Sequence, residues 1–331
     1  MKRALLCVAA FAGISADVPA QTPTLTPVAS VSAPVDMIRI DSGRAYLMAG
    51  TTLTIVDVSN PAAPKRLGSF EVPDRVWGFT AKGPRVYVAA DLWGVGIIDV
   101  SNPADPTLVA HYKTKGQAHS VDVFGKTMLV CDHMLGVAYF DISNERSPVL
   151  VTSAFVEGYP RFLSVVGSSV YAVDSPLGFY VLDAAKPSDE TVGAVQTPAS
   201  GYGRIISIGV ADLSAGGGPK VAVVSGGSAL HAFNVSTPSA PVLISKLATP
   251  GKGPRMAMAG TLAYVADNAE GIQVVDFSTP SAPKIVATHK TTKPAIDVAV
   301  VDSLVYVAAG RSRNQVSNRF EGDELLIFRR Q

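Results

Sequence analysis

Cysteine is almost missing from this 331-residue chain, which has only Cys7 and Cys131. Cys7 lies in an apolar N-terminal run, so the body of the chain holds a single thiol. One thiol makes no internal disulfide, and Cys131 reads as a small buried hydrophobe in an apolar strand. Charge is also scarce: 17% of residues are charged and the formal net charge is +1. A nucleic-acid-binding domain usually carries a basic surplus, so no nucleic-acid partner is expected. No apolar run reaches the roughly 18 residues that a membrane-crossing helix needs. A Gly-x-Ser-x-Gly elbow, a P-loop, a dinucleotide fingerprint and the paired-histidine spacings of zinc enzymes are all absent. No cofactor and no metal are therefore expected, and motifs nominate no catalytic residue. The glycine triplet Gly216–Gly218 is a flexible loop and not a phosphate cradle, because no helix follows it.

What is present is a repeat. The stretch Leu53-Thr-Ile-Val-Asp-Val-Ser-Asn-Pro-Ala-Ala-Pro64 is an apolar strand that ends in an aspartate and runs into a proline-clamped turn. Its aspartate recurs at Asp57, Asp99, Asp141 and Asp183 with a spacing of 42, then at Asn234 after 51 residues and at Asp276 after another 42. A period of this length built from short Val-, Ile- and Tyr-rich runs between Gly, Pro, Asn and Asp indicates a β-propeller; helical repeats would instead place apolar residues every 3.6 positions. Each unit divides into strands a, b, c and d from the axis outward, in blade two Val76–Ala81, Arg85–Ala90, Gly94–Val100 and Thr107–Lys113. Strands b and c are apolar at nearly every residue, as strands covered on both faces must be. After strand c the proline fixes φ and forces the preceding asparagine into an extended conformation, while the aspartate and serine side chains bond the turn's N–H groups. The six Asp/Asn positions thus read as turn chemistry, not as metal ligands.

The first twenty residues read as an export signal: Lys2 and Arg3 are followed by the apolar run Ala4–Ile14 and by small residues up to Ala20. The expected organisation is a signal at 1–20 and one seven-bladed propeller at 21–331, placed in the periplasm or outside the cell. Blade one follows at Val35–Ile40, Arg44–Ala49, Leu53–Val58 and Lys65–Val72. The last blade has Ala295–Val301, Leu304–Ala308 and Glu324–Arg329 but no strand d, and the orphan strand Thr24–Val31 fits that gap. The fold class is therefore an all-β, seven-bladed propeller of four-stranded blades closed by an N-terminal strand, which leaves no open sheet edge. A monomer is expected.

The runs Leu53-Thr-Ile-Val-Asp57, Val95-Gly-Ile-Ile-Asp99, Phe179-Tyr-Val-Leu-Asp183 and Ile272-Gln-Val-Val-Asp276, with Tyr87-Val-Ala-Ala and Tyr264-Val-Ala-Asp ahead of them, resemble the LVIVD repeat family over nearly the whole mature chain. The resemblance implies a secreted or surface bacterial β-propeller and no defined activity. Glu145 in place of the first turn proline, Asn234 in place of an aspartate, and the last blade depart from the pattern.

Function in a repeat protein tends to sit where one unit departs from the rest. Two connections are expanded: a–b of blade five, Gly209 to Pro219, and b–c of blade seven, Gly310 to Asp323. The d–a and b–c connections share one face. Counting ten residues back from the strand-b aromatic or leucine gives Trp77, His119 and Arg161, and local context adds Arg204 and Arg255. These five are expected to line the channel mouth as an anion site, since arginine's planar fork suits carboxylate, sulfate or phosphate and tryptophan offers a stacking face. With Asp36 as the one acid of the ring, the arginines are expected to be partly uncompensated. Arg311, Arg313 and Arg319 on the blade-seven loop are expected to lie above the mouth as a lid. The bland alternative is that each arginine pairs with Asp36 or a carbonyl. Asp132 and His133 share a blade with His119, so the two histidines can face each other as a metal or acid/base pair, though no ligand spacing supports it. His111, His231 and His289 read as ordinary strand residues. The function expected is a binding or scaffold propeller that contacts a protein, an anionic glycan or a small anionic ligand through the d–a face. The alternative is a lyase or hydrolase of an acidic carbohydrate: Arg161, Arg204 or Arg255 would neutralise a carboxylate and His119, His133, Tyr159 or Tyr202 would move the proton.

N-terminal sequencing of the mature protein from cells is expected to start at Gln21. Soluble protein that retains Met1 would contradict export.

Overall fold

Short, doubly buried runs separated by Gly- and Pro-bearing turns leave each segment one way to hide its backbone, which is to pair with the next segment. The computed structural model describes residues 23–174, 178–196, 205–213, 217–251, 255–310 and 323–331. It is an all-β, seven-bladed propeller made of seven four-stranded antiparallel sheets, with no helix among the described residues. In six sheets the strands follow chain order. In blade two they are Gly78–Lys82, Arg85–Ala90, Gly94–Asp99 and Thr107–Tyr112. The inner strands are Met37–Asp41, Gly78–Lys82, Ala118–Phe124, Pro160–Val166, Ile205–Asp212, Arg255–Ala259 and Ala295–Val301. Each touches the next, and the last touches the first.

The core follows from this ring. It is seven slabs, each between two neighbouring blades. Tyr46, Met48 and Ile55 of blade one meet Phe79, Val88 and Ile98 of blade two. The slab between blades four and five stacks Phe179 on Phe233 with ring centroids 4.6 Å apart and nearly parallel. Strand b is buried almost throughout in blade one, Arg44–Ala49, and again in blade two. Cys131 is fully buried, and burial raises its thiol pKa well above the ordinary value.

The turn after strand c behaves as its chemistry dictates. All six anchor side chains accept a backbone N–H two residues on: Ser59, Ser101, Ser143, Ala185, Ser236 and Ser278 donate to Asp57, Asp99, Asp141, Asp183, Asn234 and Asp276 over 2.7–3.0 Å. The turn also latches blades together. A Cβ on Gly68 in the outer strand of blade one would collide with the Pro103 carbonyl of blade two, and Gly193 stands in the same relation to Pro238. At the matching place in blade five, Ser245 donates its hydroxyl to the Pro280 carbonyl over 2.6 Å. Glu145, where a proline is expected, is pulled into an ion pair of 2.7 Å with Arg85, which also holds Asp99 at 3.0 Å. The exchange of proline for glutamate therefore replaces a rigid turn with a charged cross-blade tie.

In the seventh sheet Ala295–Val301, Leu304–Ala309 and Glu324–Arg330 are followed by Leu25–Ser32 as the outer strand. The pairing runs from Leu25 opposite Arg330 to Ser32 opposite Glu324, with an irregularity at Pro27, which has no N–H to give. This blade has no c–d turn to press on blade six. Instead the Pro23 carbonyl meets His289 Nε2 at 3.1 Å, and Leu25 packs into the slab between blades six and seven. The expanded a–b connection of blade five is shorter than the sequence suggests: the inner strand continues to Asp212, and Leu213 and Pro219 close the loop.

Deletion of residues 24–31 is expected to lower stability by several kcal/mol, because it strips one ladder and the packed apolar side chains Leu25, Val28 and Val31 from blade seven. A thermal melt that does not move would mean that the strand contributes nothing to holding the ring.

Candidate functional site

Where the inner strands of blades three, four, five and seven begin, the ladder slips by one residue. In blade three Ala118 faces Asp132 and Ser120 faces Cys131, so His119 is extra; in blade four Arg161 is extra between Pro160 and Phe162. In blade two Trp77 N–H and the pair Gly78–Ala89 both use Ala89. A bulged residue is released from the pleat and re-aimed. This is why Trp77, His119 and Arg161, spaced by 42, collect at the mouth. Arg255 does not join them. It pairs in regular register with Ala266, at the depth where Asp297 faces Ala308, so it sits one step further down the channel. There Arg255 Nη1 lies 3.7 Å from Asp297 Oδ2, and Arg39 Nη1 lies 3.5 Å from the same oxygen. The expectation that Asp36 is the ring's one acid is therefore corrected: Asp297, and also Asp122 beside Lys82 at 3.0 Å, stand among the inner strands. Arg204, Arg311, Arg313, Arg319 and Tyr202 lie outside the described residues.

The mouth residues of blades two to four form a continuous row of rings. The Arg75 guanidinium lies 4.0 Å from the Trp77 ring. Trp77 and His119 centroids are 5.6 Å apart, His119 and His133 5.9 Å, His133 and Tyr159 3.9 Å. The two histidines thus do converge. Trp77 Nε1 donates to Asp91 Oδ2 at 3.1 Å and Gln117 Nε2 to the other oxygen at 2.7 Å, which fixes the indole and spends that carboxylate. Asp132 is spent as well. Its oxygens accept from the N–H groups of Gly116, Met134 and Leu135, so it shapes the b–c turn and is not poised as a base for His133.

Three polar groups in this row have no hydrogen-bond or ion-pair partner among the described residues. His119 Nε2 and His133 Nδ1 are buried and lack a hydrogen-bond partner. Arg161, half-buried, makes no hydrogen bond and no ion pair among the described residues. Burial pulls the His119 pKa down to about 4, and the Arg161 and His133 charges push the same way. His119 is therefore neutral near pH 7, with a ring nitrogen free to give or take one hydrogen bond. Around the row stand large exposed apolar side chains: Leu92 on one b–c turn, Met134 on the next at 73% exposure, and Phe155 at 76%. Among the described residues, no group of three or more His, Cys, Asp or Glu side chains is placed to hold a metal.

Two cavities bear on the choice of site. One, of about 300 Å³, is the channel lined by all seven inner strands. The other, of about 580 Å³, lies on the opposite, c–d face around Arg85 and Glu145. It is larger, but Arg85, Asp99 and Glu145 satisfy one another there, whereas Arg161 at the mouth has no partner among the described residues. The remaining histidines do structural work. His111 stacks on Trp93 at 4.1 Å, His231 is buried in blade five, and His289 meets the N-terminal segment. Arg39, Asp297 and Asp91 were missed by counting to a single position per inner strand; reading every inner-strand position would have exposed the first two.

The LVIVD repeat model matches residues 43–72, 76–114, 115–155 and 250–291. The chain thus carries the LVIVD repeat in four stretches. The matches fall in blades one, two, three and six, so the repeat signature covers less of the chain than the resemblance suggested. Blade four carries Asp183-Ala-Ala-Lys where others read Asp-Val-Ser-Asn, blade five carries Asn234, and blade seven lacks the turn. Blades four, five and seven keep the architecture without a match to the repeat. No curated protein matches the sequence. Among solved structures the LVIVD-repeat chain resembles the β-propeller domain of Cps50 (Swd1) from Myceliophteria thermophila, with 10% identity, a TM-score of 0.70, and coverage of 92% of this chain and 99% of that one. It also resembles the computationally designed protein Ika8 (9% identity, TM-score 0.63, 90% and 89%) and BamB from Moraxella catarrhalis (13%, 0.56, 88% and 81%). At these identities the likeness shows the propeller fold and says nothing of ligands.

Neutral burial of histidine has a measurable consequence. Burial holds both His119 and His231 near 4, while an unfolded chain takes up these protons near the ordinary 6.5. Below about pH 6.5 the unfolded state binds more protons, so stability is expected to fall as pH drops towards 4, by at most about 1.4 kcal/mol per pH unit for each histidine. Urea midpoints across that window are expected to slope less steeply in His119→Asn and in His231→Asn than in the parent. Identical slopes would mean that neither ring is held neutral.

Proposed function

We propose that this protein is an exported, monomeric binding or scaffold propeller. Its d–a face at blades two to four receives an anionic group carried by a protein or an acidic glycan. The observation that carries this reading is Arg161, a half-buried cation with no partner among the described residues, set beside an open row of rings. An incoming carboxylate would meet the guanidinium fork and could also bond His119 Nε2, while Trp77 and Tyr159 offer faces to the rest of the ligand.

A second reading is favoured by one observation, the convergence of His119, His133 and Tyr159 beside Arg161. In an acidic-sugar lyase Arg161 would neutralise the carboxylate, neutral His119 would accept the proton, and Tyr159 would deliver one to the leaving oxygen. Of the three arginines considered for this role, Arg255 is engaged with Asp297 and Arg204 lies outside the described residues, which leaves Arg161 beside these groups. Product release in a screen of uronate-containing polysaccharides separates an enzyme from a binder.

Arg161→Ala is expected to weaken binding of an acidic oligosaccharide or acidic peptide about ten- to a hundredfold, as loss of a charge-assisted bond does, and affinity in the parent is expected to fall with salt. The same change should leave the melting temperature of the free protein unchanged or slightly raised. A clear loss of stability in Arg161→Ala, with no ligand-dependent shift in the parent, would assign Arg161 a structural role and end this reading.

A further inference from the structure

Below the mouth, the inner strands hold a second charge group that the binding reading does not use. Asp297 Oδ1 accepts from its own neighbour Val298 N–H at 2.9 Å, and Oδ2 accepts from Ile38 N–H of blade one at 3.1 Å. The carboxylate is thus occupied in joining blade seven to blade one. Two guanidiniums nevertheless lean on it, Arg39 at 3.5 Å and Arg255 at 3.7 Å, both beyond good hydrogen-bond distance. Arg39 makes one hydrogen bond, from Nη1 to the Ile38 carbonyl at 2.7 Å, and Arg255 makes none among the described residues. The next carboxylate, Asp122, is committed to Lys82 and to Val165 N–H. Two cations therefore share one carboxylate and keep most of their donors unused.

Both arginines line the channel of about 300 Å³. The Arg39 side chain is 40% accessible, yet burial lowers its pKa, with the Arg255 charge acting in the same direction. A narrow channel accounts for both: water-sized molecules reach the guanidinium, but bulk solvent does not surround it. Phe79 closes one side, its ring centroid 5.3 Å from Arg39 Cζ, and Ile38 and Met256 add apolar wall. Water alone would leave the excess positive charge standing in a poorly solvated space, whereas one small anion would cancel it and use the planar donors of both groups.

We propose that the channel is a binding site for one small inorganic or monocarboxylate anion, such as chloride, bromide, nitrate or formate, held between the guanidiniums of Arg39 and Arg255 across from Asp297. The bound anion bridges blades one and six on either side of blade seven, the blade assembled from both ends of the chain. This site is independent of the mouth: it needs neither Arg161 nor the row of rings.

The full mature chain is melted in rising sodium bromide, with ionic strength held constant by the sodium salt of a sulfonate too bulky for the channel, and crystals soaked in bromide are measured at the bromine edge. The expected result is a saturable rise in melting temperature, as linkage to a single site gives, and an anomalous peak in contact with Arg39 and Arg255. Arg255→Gln and Arg39→Gln should each weaken the bromide response at least tenfold. Should either glutamine variant fail to fold, Arg255→Lys keeps the charge, loses the planar fork, and should bind more weakly. A response that is linear in any salt, an equal response in the arginine variants, or no peak in the channel overturns the proposal. A peak without a saturable shift marks an adventitious ion and overturns it too.

Discussion

A sheet of four strands has two open edges, and disposing of them constrains everything else in this molecule. The outer edge is shielded by the proline turn of the following blade, whose carbonyl presses so close on Gly68 and Gly193 that no side chain fits there. The inner edge faces the channel with unpaired N–H groups, and a buried N–H without an acceptor is costly. Side chains of the preceding blade supply the acceptors: Ser120 for Leu163, Asp122 for Val165, Ser207 for Met256, Asp297 for Ile38, Asp41 for Gly83. The channel is polar because the ring requires it, before any ligand is considered. Most acids and hydroxyls that a pocket hunter would collect from the channel are already holding one blade to the next.

The mouth escapes that duty through its bulges. A residue left over from the ladder neither completes a hydrogen-bonded pair nor packs in an inter-blade slab, so its identity is free. The equivalent positions bear this out within one chain: Asp36, Trp77, His119, Arg161 and Ile296 are five different residue types at one level of the ring. One step deeper the side chains return to structural service. Variety at the bulges leaves the mouth residues open to change, and the exposed Leu92, Met134 and Phe155 border it.

The architecture was legible because it rests on local, periodic signals. The six turn anchors recur at fixed spacing, each acts within two residues of itself, and a strand buried on both faces has to be apolar throughout. The orphan segment near residue 25 was legible by subtraction, since the last unit lacked a strand. The mouth was legible only in part. Equal spacing found Trp77, His119 and Arg161, but Arg255 was placed by local context, and a difference of one residue puts it beside Asp297, one step below the open ring. Nothing in a single repeat announces that slip. Asp297 was hidden for a related reason: its role is a bond to Ile38, 259 positions earlier in the chain, which exists only once the ring is closed. The sequence encodes the blades locally and their joints at long range.

The contrast between Arg161 and Arg255 shows how one scaffold yields two kinds of cation. Arg255 sits where a carboxylate is needed to satisfy Ile38, and the carboxylate, once there, partly neutralises it. Arg161 sits on a bulge, and among the described residues no acid pairs with it. Its charge falls instead on His119, which burial already disfavours as a cation. A neutral imidazole with a free nitrogen beside an unanswered guanidinium is a selective pair. A halide would satisfy the charge and leave the nitrogen empty, and a neutral amide would do the reverse. A carboxylate satisfies both, since one oxygen can face the arginine and the other can accept from the imidazole, provided that the tautomer puts the proton on Nε2. If the mouth binds as proposed, these two groups, without a partner among the described residues, would set the ligand's shape as well as its sign.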